Sequence, residues 1–154
     1  MIAKLDNLNE AVAQQIFTIF QHSYKVEAKL IGSIDFPPLS RSSNEIKNSS
    51  TLFYGFSENE CLAGIIEITI DNNLLDIHSL TVHPSYFRKG IASKLINYVI
   101  AIINFSKATV ETAVVNIPAI NLYKKHGFIE FKRWLPSHGI EKLAMSMEKA
   151  GPSS

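Results

Sequence analysis

Arg88, Lys89 and Gly90 close an apolar run and stand directly before a helix-periodic segment that starts at Ile91. The stretch 80–92, LTVHPSYFRKGIA, reads as an extended strand, a Pro-marked exit and a basic loop ending in Gly90. The first-turn N–H groups of a helix have no intrahelical acceptors, and the helix dipole favours negative charge there. A strand feeding a Gly-containing basic turn at such a helix start is suited to holding phosphate. The expected cradle is Phe87, Arg88, Lys89, Gly90, Ile91, Ala92 and Ser93. The plainer alternative is a solvated basic loop ahead of an ordinary helix.

A second group with chemical potential lies upstream. Asn72 and Asn73 read as a hairpin tip, which pairs Asp71 with Leu74, Thr69 with Asp76 and Glu67 with His78. Side chains alternate across a strand, so this register puts Glu67, Asp76 and His78 on one face. Ionisable residues gathered in otherwise apolar strands suggest a proton-handling site. A carboxylate beside His78 would raise the imidazole's affinity for a proton. A cross-strand pair that serves only structure fits the same pattern. His22, His83, His126 and His138 are scattered without metal-ligand spacing, and Cys61 is the only cysteine. The sequence therefore offers no metal site and no intramolecular disulfide.

Periodicity indicates the elements that must carry these residues. Asn7 reads as an N-cap with Glu10 as its capping-box partner, and Val12, Ile16, Phe17 and Phe20 recur at helical spacing. This helix runs to about His22, with a second short helix over 24–30. Residues 31–50, rich in Ser, Pro and Asn, read as a long loop with a short helix near 43–47. Long loops in compact domains are often functional. Residues 51–56, 61–70 and 74–82 read as an antiparallel meander, with Gly64 a candidate bulge. A helix over 91–103 and a strand over 108–115 follow. Pro118 opens a helix to about Lys125, which Gly127 closes, and strands at 128–134 and 143–147 complete the chain. The order implies one α+β domain over 1–150, with a parallel crossover around the helix after Gly90. Residues 151–154, GPSS, read as a disordered tail.

Composition narrows the class. A chain of 154 residues suits one domain with its own core. Hydrophobic residues make up 46% and charged residues 19%, which excludes disorder of the bulk. A net charge of +1 gives no general electrostatic case for a nucleic-acid or membrane partner. No apolar run is long enough to span a bilayer, and the opening MIAKLDNLNE lacks signal-peptide character. The expected location is cytoplasmic.

Two segments together carry a resemblance. LTVHPSYFRKGIA is similar to the pyrophosphate motif of the GNAT superfamily of acyl-CoA-dependent N-acetyltransferases. In that motif a V-x-P strand exit precedes Arg or Gln, two variable residues, Gly, one variable residue, then Gly or Ala. NIPAINLYKKHGF, residues 116–128, is similar to the second cofactor motif of the same family: an Asn, then Asn-x-Tyr on a helix, closed by Gly-Phe. Phe87 stands where the family usually has Arg or Gln. The grip on phosphate then passes to backbone N–H groups, Arg88 and Lys89.

The resemblance implies a GNAT-like mixed, mostly antiparallel twisted sheet flanked by helices, with a β-α-β-α acetyl-CoA-binding core. It implies acetyl-CoA as co-substrate, no metal, and a primary amine of a small molecule or peptide as acceptor. Pantetheine amides would pair with the backbone of Leu80 and Val82. Tyr123 would protonate the leaving thiolate. Asn116 would meet pantetheine or the substrate amide, and Asn121 the cofactor; Asn116 also reads as the N-cap of its helix. Asp76 lies where some family members carry their catalytic carboxylate, so the base is sought among Asp76, Glu67 and His78. The acceptor's walls would come from loops 31–50 and 134–140, with Trp134 either a wall or a packed hairpin aromatic. A homodimer is compatible with the pattern. A different class of function, a non-catalytic acyl-CoA-binding module that regulates a partner, fits the same motifs. A nucleotide-binding protein of P-loop type would need Gly-x-x-x-x-Gly-Lys-Ser/Thr, which the sequence lacks.

Overall fold

Three strands rich in β-branched and aromatic residues form the centre of a computed structural model that describes residues 1–32, 36–137 and 139–149. The expectations for His138 and for the tail 151–154 lie outside the described residues. Strands β2 (Leu52–Glu58), β3 (Cys61–Asp71) and β4 (Leu74–Val82) make the expected antiparallel meander. Both tips are two-residue turns. Asn59, Glu60, Asn72 and Asn73 all take positive φ, between 50° and 66°. Two consecutive positive φ values match the right-handed twist of the flanking strands, and Asn tolerates them best after Gly.

Strand β1 (Ile2–Leu5) pairs antiparallel with β2 and was not expected. Its four residues, IAKL, are too few to display an alternation. Helix α1 (Glu10–Ile31) is continuous through the segment read as two helices. Its N-cap is Asn9 rather than Asn7: Asn9 Oδ1 accepts from the N–H groups of Ala11 and Val12. Asn7 instead donates to the carbonyls of Ile46, Lys47 and Ser49, tying the chain start to the end of α2 (Ser43–Lys47). Gly32 closes α1 in the left-handed conformation. A 3₁₀ turn at Pro37–Ser40 occupies part of the long loop.

A 3₁₀ turn at Pro84–Tyr86 leads from β4 towards α3 (Ile91–Ile102), and β5 (Lys107–Ala113), α4 (Ile117–Lys125), β6 (Ile129–Trp134) and β7 (Lys142–Glu148) follow. The sheet order is β1-β2-β3-β4-β5-β7-β6, and among the described residues β4–β5 is the one parallel pair, bridged by α3. Alternation along β3 feeds two cores. Ile66 and Ile68 pack with Leu95, Ile96 and Val99 of α3, while Ile65 packs with Ile16, Phe20 and Ile46 under α1 and α2. Gly64 lets α3 approach: a Cβ there would meet Ile91 Cγ2 at 2.7 Å. Among the described residues no helix is long and apolar enough to cross a membrane.

Candidate active site

Strands β4 and β5 part in mid-course, and the wedge between them is the centre of the site. They pair only from Leu74↔Lys107 to Ile77↔Val110. Beyond that, β4 continues to Val82 along β3, and β5 continues to Ala113 along β7. The β5-facing edge of β4 is therefore free from His78 onward. A bulge sits at the parting: the β3–β4 register shifts after Glu67, so Glu67 opposes Ser79 and His78 is the extra residue. Bulges sharpen local twist, which helps drive the strands apart. This corrects the expected Glu67–His78 pairing, while Thr69↔Asp76 and Asp71↔Leu74 stand as expected.

One cavity, about 510 Å³, runs from the wedge to the start of α3. Leu80 and Val82 form its floor, Phe87, Arg88 and Gly90 its basic end, and Val26, Leu30 and Leu122 its apolar sides. Ile91, Ala92 and Ser93 complete the turn at the helix start. Arg88 and Gly90 both take positive φ, 66° and 73°, the bent backbone that points N–H groups inward as an anion nest. Gly90 is the N-cap of α3 and offers no side-chain cap, whereas Asn9, Ser42 and Asn116 cap α1, α2 and α4. A Cβ at Gly90 would meet nothing within 4 Å, so the space before the helix is open. An unpaired strand edge leading to an uncapped helix start suits a pantetheine arm ending in pyrophosphate. Lys89 is not part of this groove; its Nζ lies 3.5 Å from Glu58 and over the Tyr86 ring. Asn121 is exposed and lines neither cavity described here.

A second cavity, about 380 Å³, opens on the other side of the wedge. Tyr24, Tyr123, His78 and Glu111 line it, and Phe36, Pro37 and Pro38 form a wall from the long loop. Among the described residues of the 134–140 loop only Ile140 reaches it; Trp134 instead meets the ammonium groups of Lys132 and Lys142. The two cavities share Glu27, Leu80, Asn116 and Ala119. Tyr123 is 6% exposed and stacks edge-on against Phe128. Burial, and then the nearby Glu27 and Tyr24, push its phenol well above the ordinary value, so it holds its proton at neutral pH. Asn116 is the expected N-cap of α4, and it also lines both cavities. Its Oδ1 accepts from Ala119 N–H at 3.3 Å as the N-cap, and its Nδ2 donates to Glu27 Oε1 at 3.1 Å.

The three residues expected to share proton transfer are split into two groups. Glu67 is 2% exposed and takes four hydrogen bonds: two from Arg41 (2.7 and 3.0 Å), one from Thr51 (2.6 Å) and one from Ser79 (3.0 Å). Burial works against its charge, but the bonds from Arg41 and Thr51, the Arg41 charge and the Ser79 bond outweigh it and hold the carboxyl below its ordinary value. Four donors fill the roughly four acceptor sites of a carboxylate, leaving none for an incoming proton. Glu67 lines neither cavity.

Asp76 accepts from Thr109 Oγ1 at 2.8 Å. His78 Nε2 lies 2.9 Å from Thr69 Oγ1 and 3.5 Å from Asp76 Oδ2. One ring nitrogen faces both partners, so the imidazole cannot relay a proton between them. Of this pair only His78 reaches the second cavity.

Glu27, which lines both cavities, is the candidate residue that sequence reasoning missed. It lies on a flank of α1 with Ser23, Val26 and Leu30, at the i, i+3, i+4, i+7 spacing of one face. Val26 and Leu30 are 42% and 54% exposed and line the first cavity, an apolar stripe on a helix otherwise buried on Ile16, Phe20 and Tyr24. That second stripe was the available signal.

Comparison with known proteins bears on this geometry. The chain is 34% identical over 129 residues, 83% of its length, to the UPF0157 protein YqkA of Bacillus subtilis, and spans 38% of that relative's length. It superposes on the ribosomal-protein-S18-alanine N-acetyltransferase of Escherichia coli with a TM-score of 0.76, 18% identity, and coverage of 98% of this chain and 96% of that one. The PaiA N-acetyltransferase of Thermoplasma acidophilum, solved in complex with coenzyme A, gives 0.76 at 19% identity, covering 97% and 99%. At these identities the two structures establish the likeness of fold. Residues 13–128 match the sequence profile of the Acetyltransferase (GNAT) family, three-quarters of the chain, and on that match the chain belongs to this family.

Proposed function

We propose that this chain transfers an acetyl group from acetyl-CoA to a primary amine of a small molecule or peptide, by direct attack of the amine on the thioester. The observation that carries the reading is the meeting of two cavities at Leu80, Asn116 and Ala119. One leads to an anion nest and fits a long, thin, phosphate-ended donor; the other is a separate entrance for an acceptor. The crystallised PaiA relative holds coenzyme A, which supports the assignment of the donor.

Each part of the chain then has a task. The nest at Arg88–Gly90 and the first turn of α3 hold the pyrophosphate. The free edge of β4 at Leu80 and Val82 pairs with the pantetheine amides and brings the thioester to the wedge. Acetyl-CoA supplies the activated carbonyl. Tyr123, kept protonated by its burial, donates to the sulfur as charge develops there. A cytoplasmic setting, where acetyl-CoA is available, belongs to this reading.

The test is release of free thiol from acetyl-CoA over a panel of peptides, polyamines, amino acids and aminoglycosides, with acetyl-CoA affinity measured by calorimetry. Transfer to at least one amine is expected. Binding without transfer to any acceptor would convert the chain into a non-catalytic acyl-CoA-binding module. Absence of binding would remove the nest from the donor site.

A further inference from the structure

We propose that Glu27 receives the acceptor's ammonium group where the two cavities meet and takes its proton before attack. The inference rests on the acetyltransferase reading and adds the group that neutralises the amine, together with the acceptor class it selects: alkylamines that arrive charged.

Glu27 is placed for this by α1. Tyr24 and Ala28 hold that helix on the sheet, and caps at Asn9 and Gly32 fix both ends. The side chain reaches the seam of donor and acceptor cavities and lines both. Asn116 Nδ2 anchors Oε1 at 3.1 Å, and Asn116 is itself held as the α4 cap. Among the described residues no donor is hydrogen-bonded to Oε2. The carboxylate is thus fixed at one oxygen and available at the other. Glu67, saturated by Arg41, Thr51 and Ser79, offers no such oxygen.

The surroundings suit the task. On α1 and α4, Tyr24 and Tyr123 flank the seam as neutral phenols, both pushed up chiefly by burial. Lys142 of β7 lies near but is committed to Glu111 of β5 at 3.4 Å. His78 of β4 faces the acceptor cavity, and Arg88 stands at the far end of the donor groove. Burial raises the Glu27 carboxyl above its ordinary value, against the pull of the Asn116 bond and Lys142. A stronger base lies closer in proton affinity to the amine it must deprotonate.

The step balances. The ammonium N–H proton moves to Glu27 Oε2, giving a neutral amine and a neutral carboxylic acid. The nitrogen lone pair forms the C–N bond and the C–S bond breaks. The sulfur takes a proton from Tyr123, and the second proton lost by nitrogen restores the phenol. Glu27 returns its proton to solvent through the acceptor cavity.

Glu27→Gln keeps an oxygen for Asn116 and removes the charge. With an alkylamine acceptor, kcat should fall by about a hundredfold or more, and the rise of rate with pH should be lost. With an aromatic amine, which arrives neutral, the fall should be less than about tenfold. Acetyl-CoA affinity by calorimetry should be unchanged. In the protein saturated with coenzyme A, the Glu27 carboxyl ¹³C resonance, assigned by its loss in Glu27→Gln, should shift on addition of butylamine. Equal losses for both amines, or a parent-like pH profile, would overturn the proposal. A parent protein that fails to acetylate any amine would refute the activity. The butylamine titration would still decide the Glu27 site, since an indifferent resonance refutes ammonium binding there.

Discussion

The groove proposed for the donor and the cavity proposed for the acceptor meet at one wedge, yet they are built by different means. The groove works through backbone: a free strand edge, positive φ at Arg88 and Gly90, and an uncapped helix start. Such a site depends on chain direction and turn chemistry, and tolerates variation in side chains. In the proposed reading Phe87 can replace the usual side-chain donor there because the N–H groups remain. The cavity works through side chains drawn from α1, the long loop, β4, β5, α4, the β6–β7 loop and β7. Its properties exist only after folding has brought those seven sources together. Recognition of a common donor needs the first kind of site, and discrimination between acceptors needs the second.

The difference predicts where damage will fall. The largest effect is expected at Arg41, which props the acceptor wall rather than touching ligand. It neutralises Glu67, and its guanidinium lies 5.8–5.9 Å from the Phe53 and Phe20 ring centres. Arg41→Met strands a buried carboxylate and should cost about 3–5 kcal/mol of unfolding free energy in denaturant titrations. The double variant Arg41→Met with Glu67→Leu should recover most of it, because an apolar pair of similar size avoids the desolvation cost. A double variant as weak as the single would mean that the wall relies on Arg41 packing, not on charge.

Next in size is Tyr123→Phe. Only a hydroxyl is lost from a buried ring that keeps its contact with Phe128. Turnover should fall by about a hundredfold, while acetyl-CoA affinity holds. If turnover is unchanged, Tyr123 is a packing residue and the comparison loses its clearest chemical group on the acceptor side.

Gly90→Val attacks the other region. At φ of 73° a β-branched residue carries strain of roughly 1–2 kcal/mol, and its methyl groups project into the open space before α3. Acetyl-CoA should bind about tenfold more weakly, with kcat at saturation little altered. Unchanged affinity in the folded variant would take the nest out of the donor site.

How far each region was legible follows the same division. The Leu74–Val82 strand, the α2 helix Ser43–Lys47, the Asn72–Asn73 tip and the crossover around α3 are all local signals, and the sequence displays them. So is the basic turn before α3, in which the Lys89 side chain turns to Glu58. Strand β1 escaped because four residues carry too little pattern and its partner β2 is about fifty residues away. The Glu67–Asp76–His78 cluster failed on one inserted residue: the bulge at His78 has no sequence mark, and it sends Glu67 to Ser79 and Arg41. Asn121 was carried over from the motif, and the helix turns it to solvent. Glu27 carried only the indirect mark of the second apolar stripe on α1, because its partner Asn116 lies 89 residues away.

The smallest expected effect sets the two carboxylates against each other through pH. Glu67 has a lowered pKa when folded, so its contribution to stability is present above its unfolded pKa and is lost as pH falls through the folded value. Glu27 has a raised pKa, mainly because burial disfavours its charge. Between its unfolded and folded values the native state binds more protons than the unfolded chain. Its contribution is therefore complete below the unfolded pKa and fades as pH rises through the folded one. Glu27→Gln should remove that decline, leaving the variant slightly more stable than the parent above the Glu27 titration while it is less active. Glu67→Gln should instead flatten the loss on the acid side. Thermal unfolding across pH for the parent and both variants reads the two slopes. Were Glu27→Gln to lower stability above that titration, the ionised carboxylate would be a net structural asset. The acceptor cavity would then hold no destabilising charge in reserve for an ammonium group.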